Sequence, residues 1–371
     1  MKRTVFCGIL AVIVLAGACA KKSVPAETPA AEEVKEITVR LLTDASGIDD
    51  KSFNAASYRG ILDYYGDTWQ SQANRSVYYD WLTTTDDSMY IPDLQSASDK
   101  GYDLIVATGF SWVEAMKIVA PLNEDQKYLI VDVDWLNFPN VMQAVYAEHE
   151  GSYLVGLAAA IKAKDDGIAN PSFGFIGGVQ GSVITKFEVG YIQGILSVFP
   201  NARIVDYYTG DWGLPELAKI KAREWYDNGV YAIYSAAGSS GNGTIEQARE
   251  YRLAGKNVWA IGVDSDQYEE GLYGKDESAV LTSMLKRVET SVVYALKAVK
   301  KNTFKGEVIV FDLKSNGVGY SFANSAMTAG IKSDLEKTKR SIISGEIKIA
   351  ATYAEAKKLP GFPQNLLAID E

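Results

Sequence analysis

The sequence predicts an α/β protein of two lobes, each a parallel sheet with helices on both faces. Short runs rich in β-branched residues alternate with amphipathic helical periods, the pattern of parallel sheets covered on both sides. The 335 residues from Ile37 onward are enough for two such lobes of ordinary size. Most strand runs are bounded by Gly, Asp or Asn, and aromatic and acidic residues recur just beyond their ends, where ligands bind in open α/β sheets.

In chain order, Lys2 and Arg3 precede an apolar run over 5–20 that ends in Leu15-Ala16-Gly17-Ala18-Cys19. This reads as a lipoprotein signal peptide over 1–18, after whose removal Cys19 is the lipidated first residue. The run is shorter than the roughly 20 residues of a membrane-spanning helix. Cys7 and Cys19 are the only cysteines, so the mature domain has no internal cysteine and no disulfide to stabilise it. Residues 19–36 carry Pro, Ala and charge but no aromatic, which predicts a flexible tether. Losing Lys2 and Arg3 with the signal takes the formal charge from −10 to −12. So acidic a body, without a basic stripe, argues against nucleic acid or anionic lipid as an electrostatic partner.

From there the strand runs are 37–42, 104–107, 128–133, 173–176, 203–208, 232–235 and 258–263, with helical periods at 55–64, 151–163, 188–199, 215–228 and 244–254. The first strand breaks into Asp44-Ala45-Ser46-Gly47-Ile48-Asp49-Asp50-Lys51-Ser52-Phe53-Asn54, a turn that opens a helix and reads as a cradle for a small polar molecule. Later strands end at Thr108-Gly109-Phe110-Ser111-Trp112, Asp132-Val133-Asp134-Trp135, Gly177-Gly178, Thr209-Gly210-Asp211-Trp212, Ala237-Gly238 and Asp264-Ser265-Asp266-Gln267. Aromatics and acids with few cations suit a neutral ligand with a flat ring and hydroxyls. Rings stack a base, and carboxylates accept from N–H and O–H groups.

Enzyme chemistry finds little support. The sole histidine, His149, lies in a Glu-His-Glu run between the lobes, so neither a His-dependent triad nor a multi-histidine metal site can be assembled. No cofactor or metal is expected. The Gly-rich run 238–243 is followed by Thr244 where a phosphate loop needs Lys, so a tight strand-to-helix turn is the better reading.

Seven collinear motifs resemble one family. They are Asp49-Asp50-Lys51-Ser52-Phe53-Asn54; Ala147-Glu148-His149-Glu150-Gly151-Ser152-Tyr153-Leu154-Val155-Gly156; Gly174-Phe175-Ile176-Gly177-Gly178; Phe187-Glu188-Val189-Gly190-Tyr191; and three later ones, 236–243, 261–267 and 281–288. Together they are similar to the basic membrane protein (Bmp) family of lipoproteins, which includes PnrA-like purine-nucleoside receptors of bacterial ABC importers. The resemblance implies a type I periplasmic-binding-protein fold, with two lobes joined by three crossovers and closing on ligand at the hinge. It implies that Phe53 and Trp212, the latter where the family usually carries Phe, sandwich the base. By the same resemblance Asp132 reads the base edge, Asp264 and Lys286 hold the ribose hydroxyls, and Asp44, Asn54 and Gly238 complete the set. Asp50 reads as a helix cap and is left out of it. Lys286 is expected near a helix start.

The implied function is a monomeric substrate-binding lipoprotein, anchored to a bacterial membrane with its body facing the periplasm or exterior. It would capture guanosine, inosine or adenosine and deliver it to an ABC permease. Alternatives are an adhesin or ligand-sensing receptor on the same fold, or a binder of a sugar or other small polar ligand. The lobes are expected to be discontinuous: 37–147 with 280–305 in the first, 148–267 with 306–350 in the second, and 351–371 as a C-terminal extension.

Overall fold

The computed structural model describes residues 36–370. The expected signal peptide over 1–18, the lipidation site Cys19 and all but the last residue of the tether lie outside the described residues.

The chain alternates as expected. In order it runs β1 (Val39–Thr43), α1 (Phe53–Tyr65), β2 (Tyr79–Thr83), α2 (Tyr90–Asp99), β3 (Leu104–Ala107), α3 (Val113–Val119), β4 (Tyr128–Val131) and β5 (Val141–Tyr146). It crosses into α4 (Glu148–Asp165), β6 (Ser172–Gly177), α5 (Ser182–Leu196), β7 (Arg203–Tyr208), α6 (Pro215–Asp227), β8 (Val230–Ala236), α7 (Asn242–Leu253), β9 (Trp259–Asp264) and β10 (Val280–Lys286). Last come α8 (Val288–Lys300), β11 (Val308–Phe311), β12 (Val318–Tyr320), α9 (Ala329–Ile343) and the single turn α10 (Tyr353–Ala356).

Two six-stranded sheets result, ordered β11-β5-β4-β3-β1-β2 and β12-β10-β9-β8-β6-β7. Every pairing is parallel except β10 with β12. The two halves thus share one winding, although no repeat is visible in the sequence. Central strands such as Leu104–Ala107 and Tyr128–Val131 are buried at every position, because helices cover both faces and leave no polar side to alternate with. At the edge, β7 is partly exposed throughout.

Two late strands lie in the opposite sheet from the one expected. The sequence reading places 280–286 in the first lobe, but β10 pairs with β9 in the second sheet. It places the segment from 306 in the second lobe, but β11 pairs with β5 in the first. A short parallel strand has the same local pattern in either sheet, and only its neighbour decides. Lys286 accordingly ends a strand, and α8 begins two residues later. That helix returns to the first lobe against α1, where a Cβ on Gly60 would lie 2.7 Å from the Glu289 carbonyl. The chain therefore crosses between sheets three times, at Ala147, at Arg287 and between β11 and β12.

Helices α4 and α5 meet backbone to backbone. A Cβ on Gly156 would run into the Tyr191 carbonyl, one on Gly190 into that of His149, and one on Gly194 into that of Tyr153. We expect Gly156→Ala to lower stability by about 2 kcal/mol, because a clash with backbone outweighs the helix propensity gained. A lower urea midpoint at unchanged slope would be the sign, and an unchanged midpoint would mean the helices separate without cost.

Candidate functional site

In both sheets the winding reverses beside the first strand, between β1 and β3 and between β6 and β8. Loops leaving those neighbouring carboxyl ends diverge and open a crevice. The two crevices contribute to one cavity lined from both lobes, and domain interfaces of this kind are where small-molecule sites are preferentially built. All eight residues singled out from the sequence, Asp44, Phe53, Asn54, Asp132, Trp212, Gly238, Asp264 and Lys286, line it.

The first sheet supplies the loop after β1. Asp44 Oδ1 accepts from Ser46 N at 2.9 Å and from Asn54 Nδ2 at 3.0 Å. Asn54 Oδ1 is buried without a hydrogen-bond partner among the described residues, an acceptor left open beside the cavity. Asp50 also reaches the cavity, yet its oxygens accept from the backbone N–H groups of Ser52, Asn54 and Ala55 at 2.8–3.0 Å. It is thus the cap of α1, in place of Ser52. Burial pushes its carboxyl up to about 6, opposed by those three N–H groups.

Two aromatic residues come from opposite lobes, each beside a glycine. Phe53 opens α1 next to Gly109, where a Cβ would lie 3.3 Å from the ring. Trp212 follows β7, and its indole occupies the place a Gly178 side chain would need. Phe110 of the first lobe meets Trp212 edge-on at 6.0 Å, so the lobes touch at the cavity. They are also joined by Ser52 Oγ donating to Asp264 Oδ2 at 2.5 Å and by Asn242 Nδ2 donating to the Asp50 carbonyl at 3.2 Å.

The charged groups sit deeper. Asp132 and Asp264 each follow the end of a strand or close it, with φ of +66° and +62°. That left-handed conformation costs a non-glycine residue about 1–3 kcal/mol and clusters at functional sites. Lys286 is 1% exposed, and its Nζ lies 2.6 Å from Asp132 Oδ1 and 3.0 Å from Glu148 Oε1. It also stands 5.1 Å from the centroids of Phe53 and Tyr146 and 5.3 Å from that of Phe187. Burial disfavours its charge, but Asp132, Glu148 and Asp264 outweigh that and hold its pKa above the ordinary lysine value. Burial pushes Asp264 up to about 7, with Lys286 and the Ser52 hydroxyl pulling the other way.

Other lining residues were not singled out, among them Ser46, Phe110, Phe187 and Val263. Phe110 directly follows Gly109 beyond a strand run, so its signal was present. Phe187 lies in mid-helix, where periodicity marks a buried face without saying what it meets. Among the described residues, no group of three or more His, Cys, Asp or Glu side chains could hold a metal ion, and no helix is long and apolar enough to cross a membrane.

Residues 37–353 match the family described as ABC transporter substrate-binding protein PnrA-like (Bmp). A CD4+ T-cell-stimulating antigen of Listeria monocytogenes is 32% identical over 94% of this chain and 99% of that protein. The ABC transporter nucleoside-binding protein BmpA of Lactococcus lactis is 34% identical over 85% of this chain and 89% of its own length. Among solved structures, an ABC transporter solute-binding protein of Aeropyrum pernix superposes with a TM-score of 0.74 at 26% identity, covering 87% of this chain and 96% of that one. With its two doubly wound lobes and a match of this extent, the chain has the type I periplasmic-binding-protein fold and belongs to the Bmp family of PnrA-like ABC transporter substrate-binding proteins.

Proposed function

We propose that this protein binds purine nucleosides in the cavity between its lobes and hands them to an ABC permease. The body would be tethered to a bacterial membrane through a lipid on Cys19 and face the periplasm or exterior. The observation that carries this reading is the composition of one cavity. It combines an aromatic ring from each lobe with buried carboxylates and one buried ammonium. Phe53 and Trp212 would enclose the flat base. Asn54 Oδ1, an acceptor without a partner among the described residues, suits an N–H of the base edge. Asp132 would read the base edge, and Asp264 and Lys286 would hold the ribose hydroxyls. A ligand touching both lobes binds the closed arrangement better than the open one and shifts the population toward it. That a Lactococcus relative is named a nucleoside-binding protein supports the same ligand class.

Calorimetry with guanosine, inosine, adenosine and ribose tests this reading. The expected result is stoichiometric binding of at least one nucleoside, no binding of ribose alone, and no product by chromatography. Affinity should also weaken as pH falls below about 7, where Asp264 gains a proton and loses its capacity to accept from two hydroxyls. Ribose binding in place of nucleosides, turnover, or silence toward all four would each overturn it.

A further inference from the structure

We propose that Glu148 is a positioning residue for the cavity: from the first crossover it holds the Lys286 ammonium in place, making the hinge and the ligand site one charge network. The inference rests on the nucleoside reading for its effect on binding, but not for the Glu148–Lys286 link itself.

Glu148 is 1% exposed and is not among the residues lining the cavity. Its Oε1 meets Lys286 Nζ at 3.0 Å, and its Oε2 has only Lys186, 3.6 Å away, with no hydrogen bond among the described residues. The surrounding stretch is tied to the other crossovers. Ala147 N donates to the Phe311 carbonyl at 2.9 Å, and Glu150 Oε2 accepts from Leu313 N at 3.0 Å. Arg287, next to Lys286, donates its N–H to the Gly317 carbonyl at 2.9 Å. The Glu148-His149-Glu150 run therefore bonds to the second and third crossovers from the first, and Glu148 is its link to a cavity residue.

A buried ammonium presents three donors and needs acceptors for them. Asp132 at the end of β4 and Glu148 at the start of α4 take Lys286 from two sides. Asp264 on β9 adds a third carboxylate, and Asp50 lies beyond it. Lys186 on α5 faces Glu148, and the Tyr146 ring on β5 covers the ammonium. Without the Glu148 charge, Lys286 loses one of the groups that hold its pKa high. Its ammonium, already bonded to both oxygens of Asp132, is then fixed from that side alone and is no longer held where it would meet ligand.

The test compares wild type, Glu148→Gln and Lys186→Gln. Each is titrated with inosine by calorimetry at about pH 7 and about pH 9.5, and its ¹³Cε-lysine resonances are followed to about pH 10.5, with Lys286 assigned through Lys286→Arg. Glu148→Gln is expected to bind about tenfold more weakly, within the range of ordinary coupling energies, and weaker still at the higher pH. Its Lys286 resonance should begin to titrate in that window while that of wild type does not. Lys186→Gln should bind within about twofold of wild type, since it touches only the far oxygen. An unchanged Lys286 resonance in Glu148→Gln would overturn the inference, whether inosine binding held or fell equally at both pH values. Wild type that binds no nucleoside would instead overturn the functional reading, and the lysine spectra would still decide the role of Glu148.

Discussion

Lys286→Met is expected to destabilise the folded chain by about 3–5 kcal/mol near neutral pH, because it leaves buried carboxylates without their counter-charge. Lys286 is the one cation within ion-pair distance of Asp132 among the described residues, and it also meets Glu148. Its pKa is held above the ordinary lysine value by Asp132, Glu148 and Asp264 against burial. The stability it contributes is therefore fully present below its unfolded pKa and is lost only as pH rises through the higher folded one. In the variant, Asp132 and Asp264, already raised by burial, lose the ammonium that pulled them down, and their folded pKa values rise further above the unfolded value of about 4. Groups with raised folded values stabilise at low pH and cease to as pH climbs. The deficit should thus be largest near pH 7 and shrink toward pH 5. Urea unfolding of both proteins across that range measures it. A deficit under about 1 kcal/mol, or one that grows on acidification, would mean the network contributes little.

Trp212→Ala and Phe53→Ala are each expected to weaken nucleoside binding by about 1–3 kcal/mol, the usual worth of one base–aromatic stack. This corresponds to roughly 5- to 150-fold in dissociation constant. Trp212→Phe keeps a stacking face and should bind close to wild type, while losing most of the ligand-induced change in tryptophan fluorescence. The chain has seven tryptophans, and Trp212 is the one that lines the cavity, so the signal should follow that single ring. If both alanine variants bound as wild type does, the base would not lie between these rings. If Trp212→Phe kept the full fluorescence change, the indole would be remote from the ligand.

The strand-end residues were legible because a parallel sheet places its ligand loops immediately after each strand. Asp44, Asp132, Trp212, Gly238 and Asp264 all stand within a few residues of an apolar run that the sequence displays. The capping role of Asp50 was readable for a similarly local reason, since a carboxylate a few residues ahead of a helix meets free N–H groups. Less local features were hidden. The edge strand Tyr79–Thr83 has only one buried residue and shows little hydrophobic pattern. Phe187 reaches the cavity from a helix whose neighbours are set by packing against α4, and that packing depends on Gly156, Gly190 and Gly194.

The sequence by itself determined the alternation of strands and helices, the family and the eight residues that meet at the cavity. The alternation follows from neighbours close along the chain, whereas the eight residues follow from the resemblance of seven collinear motifs to one family. Only the tertiary structure decided that β10 joins the second sheet and β11 the first, and that Lys286 lies between Asp132 and Glu148. The physical reason is that parallel pairing and buried charge are settled by what stands across from a residue in space. Glu148 and Lys286 are far apart in sequence, one just after the first crossing and the other just before the second, and the fold brings them to 3.0 Å.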